Sequence, residues 1–348
     1  MRTFVNLLLG FVFSLLLTSP AQTERTPTQG RSGAVHQGTP ISLEPTGITG
    51  ASDSQGQFFS NLLPGTLAGN VESYRSAQAK DDRAAVLVGA GDIADCRTLA
   101  GAEATAKLLD RISGTVMAVG DLAYPDGSKE NFTCYDKTWG RAKLRTRPAP
   151  GNHEFHSSRA TPYFDYFGAL AGDAKTGYYS YDLGAWHIVV LNSECKDIGG
   201  CEAGSAQERW LRADLASHPV ACTLAYWHKP LFSSGSAHGN DLTIKPLWDA
   251  LYEGNADVVV NGHDHDYERF APQTPDGSAD SARGIREFVV GTGGKGLRPF
   301  SAPKPSSEAR NAEAFGVLKL TLHAKRYDWQ FIPEEGKTYT DSGSGACH

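Results

Sequence analysis

Five short segments of this sequence place metal-binding residue types at the ends of apolar runs. They are Gly91-Asp92, Gly120-Asp121-Leu122-Ala123-Tyr124, Gly151-Asn152-His153-Glu154, Tyr226-Trp227-His228 and Gly262-His263-Asp264-His265. Carboxylate, phenol, amide and imidazole groups are all ligands of first-row transition metals. Five such segments in one chain predict a centre that holds two metal ions side by side.

The first of the two predicted metal positions combines oxygen ligands with one nitrogen. Its predicted ligands are Asp92, Asp121, Tyr124 and His265. Tyr124 follows Asp121 closely enough in sequence for its phenol oxygen to reach the ion that Asp121 binds. Three anionic oxygens suit a hard, highly charged ion, so ferric iron, Fe(III), is predicted at this position.

The second predicted position shares Asp121 with the first and is completed by neutral ligands. Its further ligands are Asn152, His228 and His263. Asp121 is predicted to bridge the two ions with one carboxylate oxygen on each. One shared charge, two imidazoles and an amide oxygen suit a divalent ion, so zinc, manganese or ferrous iron is predicted here.

The spacing of the last two histidines adds to this prediction. Residues two apart in an extended segment point to the same side, so His263 and His265 are both predicted to face the site while Asp264 points away. Each motif alone also has a purely structural explanation. The Gly-Asp pair at Asp92 is a common turn, and His228 could be a core histidine with ordinary hydrogen bonds. The predicted metal centre depends on the joint occurrence of the motifs.

The N-terminus has the pattern of a secretory signal peptide, predicted to span residues 1–21. Arg2 provides the positive start, residues 4–17 form a short apolar run, and small residues follow at 19–21. The run is shorter than the ~20 apolar residues that cross a bilayer. A retained anchor is the alternative. The signal peptide predicts a secreted, periplasmic or extracellular protein with no integral membrane segment once the signal is removed.

The number and spacing of the cysteines agree with the predicted export of the protein. The chain has 6 cysteines, and none of them lies in a CxxC pair or another zinc-binding spacing. An oxidising compartment favours disulfides. The favoured pairing is Cys195 with Cys201, Cys96 with Cys134, and Cys222 with Cys347. The first pair closes a short loop, whereas the other two are chosen among the 15 pairings that six cysteines allow. Buried free thiols are the alternative.

The overall charge argues against one class of partner. The sequence has 33 Lys and Arg against 39 Asp and Glu, which gives a formal net charge of −6. A protein that binds nucleic acid through phosphate contacts needs a basic face, and this composition predicts none. Nucleic acid is therefore not predicted as a partner.

The arrangement of apolar runs predicts the elements that carry the motifs. Residues 22–83 are rich in Ser, Thr, Gly, Gln and Pro, and are predicted to form a flexible polar arm or linker. Strands are predicted at 85–88, 115–119, 186–191, 223–226, 257–260 and 287–290. Helices are predicted at 97–112, at 242–253, and from the capping-box spacing of Ser205 and Glu208 towards Ser217.

The end of the chain completes the predicted fold. Residues 315–322 and 327–332 alternate apolar and polar side chains, as the two strands of an antiparallel hairpin do. Together the elements predict an α/β protein, a β-sandwich of two mixed sheets flanked by helices. Each metal motif follows a predicted strand directly or lies in the loop after it, and ligands gather at the carboxyl ends of strands in such folds.

With these motifs the chain resembles the calcineurin-like metallophosphoesterases and, among them, the purple acid phosphatases. Many metallophosphoesterases begin with Asp-x-His, in which the histidine is a ligand, whereas this sequence has Ala94 at the third position. The Gly-Asp-x-x-Tyr motif of the purple enzymes is present and supplies Tyr124 as the replacement. The resemblance runs from about Ala84 through most of the chain. It implies the metallophosphoesterase-type fold and one catalytic domain at residues 84–348.

The resemblance and the ligand set together imply an exported, acid-phosphatase-like enzyme. It would hydrolyse small phosphate monoesters by attack of a metal-bound hydroxide. His153 is predicted to face the substrate, and the resemblance implies the same catalytic role for His238. Glu154 and Asp264 are predicted to orient the ligands. Two alternatives stay open, namely a phosphodiesterase acting on nucleotides or lipid headgroups, and a non-catalytic surface protein that binds metal or phosphate.

Overall fold

The computed structural model of the protein describes residues 84–348. The predicted signal peptide (1–21) and polar arm (22–83) lie outside this range. They stay predictions, as does the extent of the catalytic domain. Among the described residues, every helix is too short or too polar to cross a membrane.

Short strands separated by helices and loops make up the described chain. The strands are β1 (Ala85–Ala90), β2 (Ala94–Asp95), β3 (Thr115–Val119), β4 (Ala123–Tyr124), β5 (Thr146–Ala149), β6 (Tyr179–Leu183), β7 (Trp186–Val190), β8 (Cys222–Tyr226), β9 (Val258–Asn261), β10 (Tyr267–Phe270), β11 (Arg286–Val290), β12 (Ser307–Asn311), β13 (Gly316–His323), β14 (Arg326–Pro333) and β15 (Ser342–Ala346). The α-helices are α1 (Ala100–Arg111), α2 (Lys129–Lys137), α3 (Asn152–Phe155), α4 (Thr161–Phe167), α5 (Cys195–Ile198), α6 (Ala206–Ser217) and α7 (Lys245–Glu253). Short 3-10 helices span Trp139–Arg145, Ser158–Ala160, Gly168–Ala171 and Leu242–Ile244.

Two mixed sheets form the framework. The first has the strand order β15-β14-β13-β1-β3-β5, and the second has the order β12-β10-β11-β9-β8-β7-β6. In the first sheet β1, β3 and β5 are parallel, and the β13–β14 hairpin joins β1 in the antiparallel sense. In the second sheet β7, β8, β9 and β11 are parallel, with antiparallel neighbours at both edges. This arrangement confirms the predicted α/β architecture of two mixed sheets.

The core follows from the alternation of side chains along the central strands. Ile188 and Val190 of β7 pack in one apolar cluster with residues of the first sheet such as Leu87, so this cluster lies between the sheets. Val189, on the opposite face of the same strand, packs in a second cluster with Trp248 of α7. Successive residues of a strand point to opposite faces. Strands that are apolar throughout are therefore buried on both faces. Packing on both faces fixes the positions of the loops that follow these strands.

One helix begins at Ser205 as predicted but with an incomplete capping box, and another becomes α-helical later than predicted. The Ser205 side chain accepts the N–H of Glu208, but the Glu208 carboxylate accepts the N–H of Gly204 instead of returning to Ser205. The capping box is incomplete because the Ser205 N–H is already bonded to the carbonyl of Glu202. The helix predicted at 242–253 begins as a 3-10 turn and becomes α-helical only at Lys245. The next residue is a proline, which lacks an N–H and favours the first turn of a helix.

Three disulfides tie the loops to this framework. They join Cys96 to Cys134, Cys195 to Cys201, and Cys222 to Cys347. The first connects the loop after β2 with α2. The third encloses 125 residues of sequence and holds the last residues of the chain against the start of β8. No cysteine is free among the described residues.

Candidate metal centre

The five motifs meet because their strands are parallel. Asp92, Asp121 and Asn152 follow β1, β3 and β5, which are neighbours in the first sheet. His228 and His263 follow β8 and β9, which are neighbours in the second sheet. The carboxyl ends of parallel neighbours lie at one edge of a sheet, and here the two edges contribute to the same cluster.

A short ladder joins the first two motif loops. The N–H of Asp92 donates to the carbonyl of Gly120 at 3.0 Å, and the N–H of Ile93 donates to that of Asp121 at 2.9 Å. Beyond these bonds β2 and β4 pair in parallel. Asp92, Asp121 and His263 all adopt positive φ angles, of 61°, 52° and 72°. This conformation is uncommon for residues with a side chain and is concentrated at functional sites.

Two glycines permit the close packing of these loops. A Cβ atom at Gly120, where φ is 76°, would lie 2.5 Å from the ring of His228. A Cβ atom at Gly151 would lie 2.3 Å from Oδ1 of Asp121. Real Cβ atoms do not approach other atoms so closely, so only glycine allows these ligand-bearing loops to touch.

The phenol oxygen of Tyr124 is the centre of the first ligand group. It lies 2.7 Å from Oδ1 of Asp92, 3.1 Å from Oδ2 of Asp121 and 3.2 Å from Nε2 of His265. All four side chains are buried. These are the four residues predicted for the first metal position, and the structure brings their polar atoms together.

Asp121 also belongs to a second group of polar atoms. Its Oδ2 lies 3.1 Å from Nε2 of His228, and Nδ1 of His263 lies 3.2 Å from the same nitrogen. Asp121, His228 and His263 each offer an atom within 4.8 Å of the others. One oxygen, Oδ2, therefore faces both groups.

The other oxygen of Asp121, Oδ1, accepts a backbone hydrogen bond. Oδ1 accepts the N–H of His153 at 2.8 Å. Helix α3 starts at Asn152, and the first N–H groups of a helix lack partners within it. The binding of one ion by each carboxylate oxygen of Asp121 stays a prediction, and Oδ2 is the oxygen that lies between the two groups.

Backbone carbonyls orient two of the imidazoles. Nδ1 of His228 lies 3.0 Å from the carbonyl of Val119, and Nδ1 of His265 lies 2.8 Å from that of Gly296. A carbonyl only accepts hydrogen bonds, so each Nδ1 carries a proton, and Nε2 is the nitrogen left to bind a metal ion. Both Nε2 atoms point into the cluster, as they do in metal-binding histidines of this tautomer.

Asn152 contributes an amide oxygen without a partner. Its Oδ1 is buried and forms no hydrogen bond with any described residue. Such an atom is costly in a protein interior unless something binds it. A metal ion would satisfy it and would also fit the converging carboxylates and imidazole lone pairs. The donor set therefore fits a pair of metal ions.

The two histidines of the last motif face the cluster for a reason other than strand alternation. With a φ of 72°, His263 is in the left-handed region, so the segment is not extended there. Its N–H donates to Oδ2 of Asp92 at 2.8 Å, which fixes the turn. Asp264 points away, as expected, and accepts the hydroxyl of Ser233 at 2.6 Å and the N–H of Gly239 at 2.9 Å.

Glu154 connects the second and third motifs. Its fully buried carboxylate accepts the N–H groups of Asp121, Leu122, Ala123 and Gly151 at 2.8–3.2 Å. Burial, and next the charge of Asp121, raise the pKa of Glu154 to about 8, while the N–H donors oppose that rise. All four donors require an acceptor, so the geometry suits the ionised carboxylate.

The charges around the cluster favour a cation. Burial opposes ionisation of Asp121, but its contact with His228 outweighs burial and lowers the pKa of this carboxyl group. Burial, and next the charges of Asp121 and Asp92, raise the pKa of Tyr124 well above its usual value. Burial lowers the pKa of His228, but the charge of Asp121 outweighs burial and raises it to about 10, so a protonated His228 balances Asp121 when no metal ion is bound. A bound metal ion would take over this role and would also favour ionisation of the Tyr124 phenol.

The two predicted catalytic histidines lie beside the cluster. The ring of His153 packs on that of Tyr124 at a centroid distance of 4.3 Å, with its Nε2 3.6 Å from Oδ2 of Asp121. Its side chain is 27% exposed, so it can reach solvent. His238 is exposed and stacks on His263 at a centroid distance of 3.9 Å.

Two cations near the cluster were not predicted from the sequence. Nζ of Lys295 lies 4.8 Å from the centre of the Tyr124 ring and pairs with Asp95. Nη1 of Arg298 lies 2.8 Å from Nε2 of His238. Both follow the glycine-rich turn at 291–294, which contacts the loop of Asp92 through backbone hydrogen bonds. The turn was visible in the sequence, but its position beside the cluster was not.

A second group of metal-binding residue types in the described chain consists of His187, Asp214 and His218, and ion pairing explains it. His187 is buried, with Nε2 2.7 Å from Asp214 and Nδ1 3.1 Å from Asp182. Both ring nitrogens face carboxylates, and a doubly protonated imidazolium satisfies both. Burial lowers the pKa of His187, but the hydrogen bonds to Asp214 and Asp182 outweigh burial and raise it overall.

We expect this pairing to make stability depend on pH. A raised pKa in the folded state adds stability below the unfolded pKa of about 6.5, and that stability is lost as the pH rises through the folded pKa. The difference in melting temperature between the native chain and His187→Gln should therefore shrink from pH 6 to pH 9. Thermal unfolding across this range measures it, and a constant difference would contradict the charged pairing.

The fold and the cluster together define a class of protein. Two mixed sheets packed as a sandwich, with carboxylates, a phenol, an amide and imidazoles meeting at their strand ends, are the framework of a metallophosphoesterase. A model of the calcineurin-like phosphoesterase family matches residues 64–267, more than half of the chain, and the chain belongs to that family.

Similar proteins agree with the predicted resemblance to purple acid phosphatases. Purple acid phosphatase 21 of Arabidopsis thaliana is 28% identical over 279 residues, which cover 70% of this chain and 62% of that protein. Acid phosphatase type 7 of Homo sapiens is 29% identical over 247 residues, which cover 60% and 54%. The purple acid phosphatase PPD1 from yellow lupin (Lupinus luteus) seeds shares the fold with a TM-score of 0.61 at 18% identity, over 77% of this chain and 54% of that one. The chain thus spans less than two thirds of each of these proteins.

Proposed function

We propose that the protein is an acid-phosphatase-like enzyme that hydrolyses phosphate monoesters with two bound metal ions. The observation that carries this proposal is the position of Oδ2 of Asp121. It lies 3.1 Å both from the phenol oxygen of Tyr124 and from Nε2 of His228, so one oxygen belongs to two ligand groups. Membership of the calcineurin-like phosphoesterase family supports phosphate ester chemistry at this place.

Each residue has a distinct part in the proposed reaction. Asp92, Asp121, Tyr124 and His265 would hold one ion, and Asp121, Asn152, His228 and His263 would hold the other. Ions bound there would lower the pKa of a water molecule and bind the phosphate oxygens. Glu154 and Asp264 keep the ligand-bearing loops in position through backbone N–H groups.

The two further histidines would act on the substrate. His153 is partly exposed next to Asp121 and would donate a hydrogen bond to a phosphate oxygen. Nε2 of His238 accepts a hydrogen bond from Arg298, because an arginine side chain can only donate. The proton of a neutral His238 is then on Nδ1, and that atom would donate a hydrogen bond to the leaving oxygen and stabilise its developing charge.

The ligand chemistry favours ferric iron in the first position and zinc, manganese or ferrous iron in the second. A phenolate bound to ferric iron gives a charge-transfer band in visible light. We therefore expect the native protein to be coloured and Tyr124→Phe to lose the colour while retaining the second ion. Visible absorption and metal analysis of both proteins measure this.

Tyr267→Phe is a matched control for that experiment. Tyr267 is also buried, but its hydroxyl donates to Asp341 and takes no part in the cluster. The control should keep the colour. A colourless, iron-free and fully active native protein would refute the ferric assignment.

The proposed substrate class is tested with a chromogenic phosphate monoester and the corresponding diester across pH. We expect faster hydrolysis of the monoester, loss of activity after treatment with a chelator, and recovery when iron and a divalent ion are added back. Preference for the diester would move the assignment to a phosphodiesterase. If the metal-loaded protein hydrolysed neither ester, a non-catalytic binding protein would be the better description.

The proposed location is outside the cytoplasm. Three disulfides within one catalytic domain support an oxidising compartment, since such bonds are rare in cytosolic proteins. Labelling of native protein with a thiol reagent before and after reduction should give modification only after reduction. Reactive thiols in the unreduced protein would argue against export.

A further inference from the structure

Arg298 is a cation without a carboxylate partner at the edge of the metal centre. It is half-buried, and its N–H donates to the carbonyl of His265 at 3.0 Å, so its position is tied to a predicted ligand. Within residues 84–348 its guanidinium forms no ion pair. The two other nearby cations do, since Lys295 pairs with Asp95 and Lys229 pairs with a glutamate. Arg298 is thus the cation that remains free for a ligand.

The route from Arg298 to the cluster is short and rigid. Nη1 of Arg298 lies 2.8 Å from Nε2 of His238, and the His238 ring lies flat against His263, at 3.9 Å between centroids and 26° between planes. Asp264 holds this part of the loop, because its carboxylate accepts the N–H groups of His238 and Gly239. One stacked imidazole and one hydrogen bond therefore separate the guanidinium from a predicted metal ligand.

A guanidinium in this position suits a second anion. Arginine has five N–H donors in a planar fork that matches phosphate and carboxylate oxygens, and His238 occupies only one of them. A substrate whose phosphate lies over the two ligand groups would place a neighbouring negative group within reach of Arg298. The ester of a neutral alcohol has no such group.

We propose that Arg298 binds a second anionic group of the substrate, so that the site prefers phosphate compounds that carry another anion next to the scissile phosphate. This inference rests on the proposed function. In the reaction, the oxygen of water bonds to phosphorus and the bond from phosphorus to the leaving oxygen breaks. The attacking water gives up one proton and the leaving oxygen takes up one proton, so the two balance. Arg298 forms and breaks no bond in these steps; it holds His238 and selects the leaving group by binding its second anion.

Steady-state kinetics of Arg298→Gln with three substrates test this role. They are p-nitrophenyl phosphate, which has no second anion, inorganic pyrophosphate and O-phosphoserine. A hydrogen-bonded charge pair contributes roughly 1.5–3 kcal/mol, so kcat/KM for a substrate with a second anion should fall about 10–100-fold. The value for p-nitrophenyl phosphate should fall much less, because nitrophenolate is a good leaving group and depends little on the His238 that Arg298 holds. Arg298→Lys, which keeps the charge but not the fork, should give an intermediate loss.

The two anionic substrates also identify the preferred group. A loss confined to pyrophosphate assigns a second phosphate, and a loss confined to O-phosphoserine assigns a carboxylate. Equal losses for all three substrates would overturn the proposal and leave Arg298 as a residue that positions His238. Arg111→Gln is the matched control, because Arg111 is exposed on the last turn of α1 and should change none of the values.

A binding experiment separates this inference from the proposed function. If the native protein hydrolysed none of the three substrates, the proposed function would fail, but Arg298 could still be examined by calorimetry. The non-hydrolysable methylenediphosphonate should bind more tightly than methylphosphonate, and Arg298→Gln should remove the difference. An unchanged difference in the variant would overturn the role of Arg298.

Discussion

Asp121→Asn should lower kcat for phosphate monoesters about 10³-fold or more, the upper end of what the loss of one charge-stabilising group costs. The substitution keeps the shape of the side chain but removes its negative charge. Oδ2 of Asp121 lies 3.1 Å from polar atoms of Tyr124 and His228, so both ligand groups lose their shared anion at once. Metal content should fall together with activity.

The measurement is steady-state hydrolysis of a chromogenic monoester, with metal analysis of the same samples. Asp110→Asn is the matched control, because Asp110 is an exposed residue of α1 that pairs with Arg141. It should keep both activity and metals. Native activity in a correctly folded Asp121→Asn protein would refute the bridging role.

Glu154→Ala should lower the free energy of unfolding by about 4 kcal/mol, since each unpaired buried donor costs roughly 1–3 kcal/mol and some of the donors will gain water. Four backbone N–H groups of the second and third motif loops depend on this one carboxylate. The loops that carry Asp121 and Asn152 would lose their shared acceptor. Activity should fall as well, because the ligands would no longer be held in place.

Chemical denaturation measures the stability of this variant. Glu154→Gln should lose less, because its amide oxygen can still accept from part of the loop. Glu103→Ala is the matched control, because Glu103 is a partly exposed partner of Arg141, and surface ion pairs contribute less than about 1 kcal/mol. A Glu154→Ala protein as stable as this control would show that the four hydrogen bonds contribute little.

Local sequence patterns were sufficient for most of the secondary structure. The apolar runs at 115–119 and 287–290 correspond to β3 and β11. A short run with few polar residues is typical of a strand that is buried on both faces of a sheet. The alternating segments near the C-terminus form the β13–β14 hairpin as expected. The helix start at Ser205 was correct apart from the missing reciprocal bond of the capping box, and the start at Leu242 was less accurate. They depend on which N–H groups already have partners and on where a proline can fit.

The order of the strands was beyond local patterns. β13 pairs with β1 although more than 200 residues separate them, and this pairing completes the first sheet. Long-range pairing is decided by the packing of whole sheets, and residue alternation specifies only which face is buried. The same limit explains why Arg298 was missed. It has no motif of its own and reaches His238 only because the glycine-rich turn packs beside the cluster.

Local sequence identified Asp92, Asp121, His228 and His263 as candidate ligands that follow predicted strands. It identified Asn152 from its motif alone, because the strand before it, β5, is not an apolar run. Residue identity is enough for this because ligand chemistry depends on the donor atom, and strand ends can be located from apolar runs. Tertiary structure decided the geometry. It placed Oδ2 of Asp121 between the two ligand groups and held Asp92, Asp121 and His263 at positive φ. It also oriented the ring of His228 through a hydrogen bond from Nδ1 to a backbone carbonyl. These features come from contacts between distant segments, which no local pattern in the chain records.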